Sequence, residues 1–311
     1  MKAHSKIAII GSGFVGAATA YSIAMKGIVS EIVLIDANGD KAVGEALDIS
    51  HGLSFIGELS VRAGGYEDVK DCDIIIVTAG ANRKPGETRM DLANKNVGIA
   101  KSITKSIMEY YTGGVILVVA NPVDIITYVI QKESGLPAGR VFGTGTALDS
   151  ARFRYILSEC FNVDVRNIHG FIMGEHGETQ FPVWSSVRLV GMDLDTMCKN
   201  LGVTIDKDEV EEAVRAAGAE VIRRKGATYY AIASVVTRIC EAVVKNQNSI
   251  HNASVVLHGQ YGLDNVSLSI PCVVGLTGVQ KIIEADFTPD EVAKLNESAN
   301  HIRSILSEVG Y

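Results

Sequence analysis

Lys6-Ile7-Ala8-Ile9-Ile10-Gly11-Ser12-Gly13-Phe14-Val15-Gly16 is the stretch on which the fold turns. Five residues of nearly unbroken apolar character read as a short strand buried on both faces. The glycines follow at once, and Phe14–Lys26 has helical character up to Gly27, a natural helix stop. Gly11 permits a tight turn, Gly13 lets backbone approach a pyrophosphate, and Gly16 lets helix and strand pack closely. The helix start offers unpaired N–H groups and the positive end of its dipole to phosphate. A second apolar strand, Glu31–Ile35, ends at Asp36, 20 residues beyond Gly16. A carboxylate there accepts hydrogen bonds from both ribose hydroxyls and repels a 2′-phosphate, which favours NAD over NADP.

The rhythm continues outward from this unit. Asp73–Thr78 and Val115–Ala120 are further continuous apolar runs, with a long helix expected over Asp91–Tyr111 between them. Asp40–Leu53 and Asp124–Glu133 also read as helices, and Val141–Gly143 as a last short strand. Strand and helix in alternation predict an α/β fold, a Rossmann-type doubly wound parallel sheet over residues 1–143. From residue 144 the pattern changes. Helices are expected over Asp149–Phe161 and Asp208–Lys225, the second merging into Ala227–Asn246, with a closing helix over Pro289–Val309. Strand-like pieces lie at Ile168–Met173, Ser185–Leu189, Ala253–Leu257 and Val266–Val274. Residues 144–311 therefore read as an α+β catalytic or substrate domain.

Composition excludes several classes. Of 311 residues, 47% are apolar and 21% charged, enough for a large core and too apolar for a disordered chain. The formal net charge is −7, with no basic run, so a nucleic-acid partner is not expected. Asn121, Pro122 and Asp124 interrupt the most apolar stretch, VILVVANPVDIITYVI, which excludes it as a membrane span. The N-terminal apolar run is too short for a secretory signal. Five scattered cysteines without a C-x-x-C pair suit free thiols, and no metal site is expected. A cytoplasmic location follows as the expectation.

Four polar segments are out of place in a core. They are Ala79–Arg89 after a strand, Asn121-Pro122 at another strand end, Asp149-Ser150-Ala151-Arg152-Phe153-Arg154 near a helix start, and Gly174-Glu175-His176-Gly177. Exchange of a hydride at a secondary alcohol needs a base for the hydroxyl proton, and imidazole suits that work near neutral pH. His176 is the candidate, with Asp149 to fix its tautomer. Arg152 offers a fork for a carboxylate. Arg89, carried on a lid flanked by Gly80 and Gly86, polarises the carbonyl.

These segments resemble the L-lactate/L-malate dehydrogenase family over essentially the whole length, through IGSGFVGAATA, EIVLIDAN, GEALDISHG, TAGANRKPGETRMDL, VVANPVDIITYV, GTALDSARFRY, GEHGE and KGATYYAIA. The resemblance implies proton exchange at His176, orientation by Asp149, carboxylate binding by Arg152, carbonyl polarisation by Arg89, and substrate contact by Asn121 and Thr228. It places NAD against Gly11, Gly13, Phe14, Val15, Gly16, Asp36, Thr78, Ala79, Gly80 and Asn121. Glu178 departs from the family's usual GEHGD.

The substrate is a small 2-oxo or 2-hydroxy acid. Arg83 stands at the family's substrate-reading position, where lactate-specific members usually carry Gln and malate-specific members Arg. Glu87, Thr228 and the Arg154–His169 pair point instead to lactate. In bacterial lactate enzymes that pair binds fructose 1,6-bisphosphate at a subunit interface; ordinary interface packing is the alternative reading. Lactate is the expected substrate and malate the alternative, with a non-catalytic NAD sensor as a remote third. The family suggests a homo-oligomer, a tetramer or a dimer.

Overall fold

The structure, a computed structural model, describes residues 5–81, 86 and 88–311, and for Arg89 the backbone only. Arg83 and Glu87 lie outside the described residues. Strands β1 (Lys6–Ile10), β2 (Glu31–Ile35), β3 (Ser60–Ala63), β4 (Ile74–Val77), β5 (Val115–Val118) and β6 (Val141–Gly143) are joined through helices α1 (Phe14–Lys26), α2 (Gly39–His51), α3 (Leu53–Ile56), α4 (Arg89–Tyr110) and α5 (Val123–Ser134). The later part contains α6 (Ala147–Phe161), β7 (Ile168–His169), β8 (Ile172–Met173), β9 (Phe181–Pro182), β10 (Arg188–Leu189), α7 (Leu194–Leu201), α8 (Lys207–Lys225), α9 (Tyr230–Val244), β11 (Ser249–His258), β12 (Asp264–Gly275), β13 (Gly278–Ile282) and α10 (Pro289–Glu308).

The first six strands are parallel, in the order β3-β2-β1-β4-β5-β6. β1 is flanked by β2 on one side and β4 on the other. The winding direction reverses there, which opens a crevice at the strands' carboxyl ends. β4 and β5 are fully buried, because helices cover both faces of a parallel sheet.

Of the later strands, β11, β12 and β13 extend the same sheet, while β7 with β10 and β8 with β9 form two small antiparallel pairs. β11 joins β6 antiparallel, with Ser254 opposite Gly143, and β12 and β13 follow to give nine strands. A second, smaller core forms around Phe153, Leu157, Ile172, Met197 and Val214. Helix α6 contributes Phe153 and Leu157 to it, and the same helix carries Asp149 and Arg152.

Three local expectations are corrected. Helices α8 and α9 do not merge, because Gly226 takes φ +85 and ends α8. The expected strand Ile168–Met173 splits into β7 and β8, which pair with different partners. The piece Ser185–Leu189 is partly a 3₁₀ turn, with only its last two residues in β10. Elements β3, β13 and α7 had no sequence signal strong enough to find them.

Candidate active site

The nucleotide cradle is built by close packing. Gly11 has φ +103, and its N–H donates to the Ile35 carbonyl at 2.7 Å, tying β1 to β2. A Cβ on Gly16 would lie 1.9 Å from the Gly11 oxygen, so the α1 backbone rests directly on the turn. A Cβ on Gly13 would meet nothing within 4 Å. Gly13 thus leaves the open space that a pyrophosphate needs above the unpaired N–H groups of α1. Thr78 Oγ1 donates to the Gly11 carbonyl at 2.8 Å, and Ala79 N donates to Ile10 O at 2.9 Å, holding the β4 end against this loop. Asp36 accepts from Ser12 N at 2.6 Å and Asn38 N at 2.8 Å. Each oxygen keeps a further lone pair for a ribose hydroxyl. These residues fit NAD.

Phe14, the first residue of α1, is 72% exposed and stacks on Tyr229 with ring centroids 5.4 Å apart. Asn96, buried on α4, joins two loops at the sheet edge. Its Nδ2 donates to Asn121 O at 2.7 Å and Ala81 O at 3.3 Å, and its Oδ1 accepts from Ala81 N at 2.7 Å. The Gly80 and Asn121 segments are thereby held side by side. The Asn121–Pro122 peptide bond is cis.

A cavity of about 580 Å³ opens next to the cradle. Val15, Asn121, Asp149, Arg152, His176 and Thr228 all line it, although they come from five separate segments. His176 Nδ1 lies 2.6 Å from Asp149 Oδ2, and Arg152 Nη1 donates to Asp149 Oδ1 at 3.0 Å. One buried carboxylate therefore receives two cationic donors, one on each oxygen. The Asp149 side chain is 2% exposed and that of His176 is 27% exposed, so the carboxylate is sealed while the ring reaches the cavity. With Nδ1 engaged, Nε2 is the nitrogen left to exchange a proton.

The electrostatics suit that role. Burial alone pulls the His176 imidazole down, but the adjacent Asp149 charge and hydrogen bond, helped by Asp124, raise it above its ordinary value. Burial pushes Asp149 up, and the His176 and Arg152 partners overcome this to hold it below the usual carboxylate range. Both shifts favour an imidazolium paired with a carboxylate.

Asp124 is a second carboxylate behind the ring that the sequence reading assigned no role. It is buried, accepts the His176 backbone N–H at 2.7 Å and the Ser254 hydroxyl at 2.6 Å, and Ser267 donates to its carbonyl. Burial pushes it up to about 6. A lone acid inside the apolar run Ile116–Ile130 was the available signal. Gln180 and Arg215 also line the cavity and were missed. Gln180 Oε1 is sealed from solvent without a partner, an acceptor facing no donor among the described residues.

Arg154 and His169 do not line the cavity. His169 is exposed on β7, and Arg154 is half-buried near His251, whose ring is pulled down to about 4 by burial and then by Arg238 and Arg154. No hydrogen bond or ion pair among the described residues joins Arg154 to His169. No helix among the described residues is long and apolar enough to cross a membrane.

The sequence matches the profile of the lactate/malate dehydrogenase NAD-binding domain over residues 5–143, and that of the family's α/β C-terminal domain over residues 146–310. It is 50% identical over 308 residues to the L-lactate dehydrogenase of Thermoanaerobacterium saccharolyticum, covering 98% of this chain and 99% of that one. It is 46% identical over 312 residues to L-lactate dehydrogenase 1 of Clostridium acetobutylicum, covering 99% of this chain and 100% of that one. Among solved structures, the L-lactate dehydrogenase from Clostridium thermocellum aligns with TM-score 0.89 at 50% identity, over 99% of this chain and 100% of that one. The minor L-lactate dehydrogenase from Enterococcus mundtii aligns with TM-score 0.95 at 39% identity, over 98% of each chain. The nucleotide cradle, the acid–imidazole–guanidinium cluster and these matches agree: the chain belongs to the lactate/malate dehydrogenase family, NAD-dependent oxidoreductases acting on a small 2-hydroxy acid.

Proposed function

We propose that the protein is an L-lactate dehydrogenase, interconverting pyruvate and L-lactate. The observation that carries this is the shared carboxylate of Asp149, which holds His176 at 2.6 Å and Arg152 at 3.0 Å at the wall of one cavity. The Gly11–Gly16 turn and Asp36 would hold NAD, which in its reduced form would supply the hydride. Arg152 keeps guanidinium N–H groups beyond the one given to Asp149, and these bind the substrate carboxylate. Protonated His176 donates from Nε2 to the carbonyl oxygen as that oxygen gains charge, and Asp149 keeps the other nitrogen protonated throughout. In the reverse direction neutral His176 takes the hydroxyl proton. Asn121 and Thr228 border the same space, and Arg89 is assigned to polarising the carbonyl. The relatives described as L-lactate dehydrogenases, about half identical along the chain, support the choice of lactate.

Arg83 favours a second reading, L-malate dehydrogenase. A guanidinium at the substrate-reading position would pair with the second carboxylate of oxaloacetate, and facing a methyl group it would be desolvated and unpaired. The test is NADH oxidation with pyruvate and with oxaloacetate, assayed separately. A higher kcat/KM for pyruvate is expected; a strong preference for oxaloacetate would replace lactate with malate. NADH binding without turnover of either acid would restore the sensor reading.

We further assign residues 1–143 to cofactor binding and 144–311 to substrate binding, in a cytoplasmic homo-oligomer. Phe55, 94% exposed, shares a surface groove with half-exposed Met25 and Tyr21, which supports burial against another copy. Arg154, which has no acidic partner among the described residues, and His169 are assigned to an effector such as fructose 1,6-bisphosphate. A lowered KM for pyruvate with that compound, lost in Arg154→Ala, is the expected result.

A further inference from the structure

The turn that carries His176 is held from three directions. Its start, Gly174, exchanges backbone hydrogen bonds with Ser269 of β12 at 3.1 and 2.9 Å. Its middle hangs from Asp124 through the His176 N–H. The third hold comes from the C-terminal helix. Ser298 of α10 is fully buried, and its hydroxyl donates to Thr179 O at 2.7 Å. The same oxygen lies 2.9 Å from Thr179 Oγ1 and accepts a long contact, 3.4 Å, from Glu175 N. One side chain therefore touches both ends of the turn that has His176 at its centre.

The turn also closes on itself around this point. Thr179 donates its hydroxyl to Glu175 Oε2 at 2.6 Å and its N–H to the same oxygen at 3.3 Å. Gly174 has φ +90, and a Cβ there would lie 2.5 Å from Ser298 Oγ, so the helix approaches as closely as a glycine allows. One helical turn further along α10, His301 Nε2 faces Glu175 Oε1 at 3.6 Å. These contacts join residues about 120 apart in the chain, and they touch neither the cavity's substrate groups nor the nucleotide cradle.

We infer that Ser298 is a positioning residue for His176: by bracing the Gly174–Thr179 turn from outside, it sets where the imidazole stands against Asp149. The inference rests on the proposed catalytic role of His176. Among the described residues, the charged groups around the ring are Asp149 and Arg152 from α6, Asp124 from α5, Glu175 and Glu178 from the turn, Arg215 from α8 and, behind Glu175, His301 from α10. With the brace removed, Thr179 O and Glu175 N lose a buried partner and the turn relaxes away from α10. The ring then sits less well against Asp149.

The test uses the full-length protein and the variants Ser298→Ala, Thr179→Val and Thr179→Ser. Steady-state kinetics give kcat and KM for pyruvate, and fluorescence gives the Kd for NADH. The rate at which diethylpyrocarbonate modifies His176, followed by peptide mass spectrometry across pH, reports the imidazole's titration without turnover. Ser298→Ala and Thr179→Val are expected to lower kcat/KM by about tenfold, mostly in kcat, with NADH affinity unchanged. The modification midpoint should move down by about half a pH unit or more. Thr179→Ser, which keeps the hydroxyl, should behave like the unaltered protein. Wild-type kinetics and an unmoved midpoint in Ser298→Ala would overturn the inference, as would NADH affinity falling in step with kcat/KM. Should Ser298→Ala not fold, the Thr179→Val and Thr179→Ser pair decides. If the unaltered protein reduces no 2-oxo acid, the activity reading fails, while the midpoints still report whether Ser298 places the ring.

Discussion

Replacing Asp149 by Asn tests the chemistry at its centre. The wild-type carboxylate offers two oxygens to two donors, His176 Nδ1 at 2.6 Å and Arg152 Nη1 at 3.0 Å, at a site with 2% exposure. An amide of the same shape has one acceptor and one donor. If its oxygen keeps Arg152, its NH₂ faces Nδ1 and drives the ring to the other tautomer, with the proton on Nε2. If its oxygen keeps His176, its NH₂ points at a guanidinium. The first arrangement fixes the wrong tautomer, the second leaves a buried donor facing a donor, and both remove the negative charge that holds the imidazolium. Charge-assisted bonds of this kind contribute about 1.5–3 kcal/mol each, and losing the charge lowers a neighbouring His by about 1–3 pH units. A total of about 2–4 kcal/mol in the transition state corresponds to roughly 30- to 1,000-fold in kcat/KM.

The sign of the pH effect follows. Pyruvate reduction needs the proton on His176, and in Asp149→Asn burial acts unopposed to push it off. Reductive kcat/KM should therefore fall most at pH 7–8 and recover partly toward pH 5. Parallel melting curves separate the catalytic loss from destabilisation. A variant with wild-type kcat/KM and an unshifted pH profile would refute the role given to Asp149.

Asp124 is raised to about 6 from 3.8 by burial, so between those values the folded chain keeps a proton that the unfolded chain has released. Its contribution should make stability fall as pH rises from about 4 to about 6, by up to about 3 kcal/mol, and urea unfolding of Asp124→Asn should show a flatter profile over that window. Gly13→Ala should fold with little change in Tm yet lose NADH affinity at least about tenfold, because its Cβ enters only the open space reserved for the cofactor; unchanged NADH titration would contradict that placement. Gly16→Ala should not fold, because its Cβ would sit 1.9 Å from the Gly11 oxygen; a soluble variant with a normal melting curve would show that the turn can move aside. Arg83→Gln should weaken oxaloacetate use by roughly a hundredfold or more relative to pyruvate use, and equal losses in the two assays would mean that residue 83 does not meet the substrate.

What could be read from the chain without its structure was local. Lys6–Ile10 is a buried strand because five consecutive residues give it little other choice, and Gly11, Gly13 and Gly16 carry a conformational meaning that depends only on their neighbours. The candidate site residues were legible as polar segments at strand ends, and the family pattern supplied roles for them. Their mutual geometry was not legible. Asp149 and His176 are separated by 27 residues, and Asp124 and His176 by 52. No periodicity reports such a pairing. Asp124 and Ser298 were given no role in the site because a buried acid and a buried hydroxyl differ from exposed ones only in what packs around them. The short strands β7 and β8 were likewise decided by tertiary contacts, since two-residue strands have no propensity of their own to overcome. Sequence set the strand–turn–helix grammar through steric and hydrophobic rules that act over a few residues. Only the folded structure decided how closely Asp149 and the imidazole meet and that Asp124 holds the same turn, because those distances depend on the packing of the whole sheet and its helices.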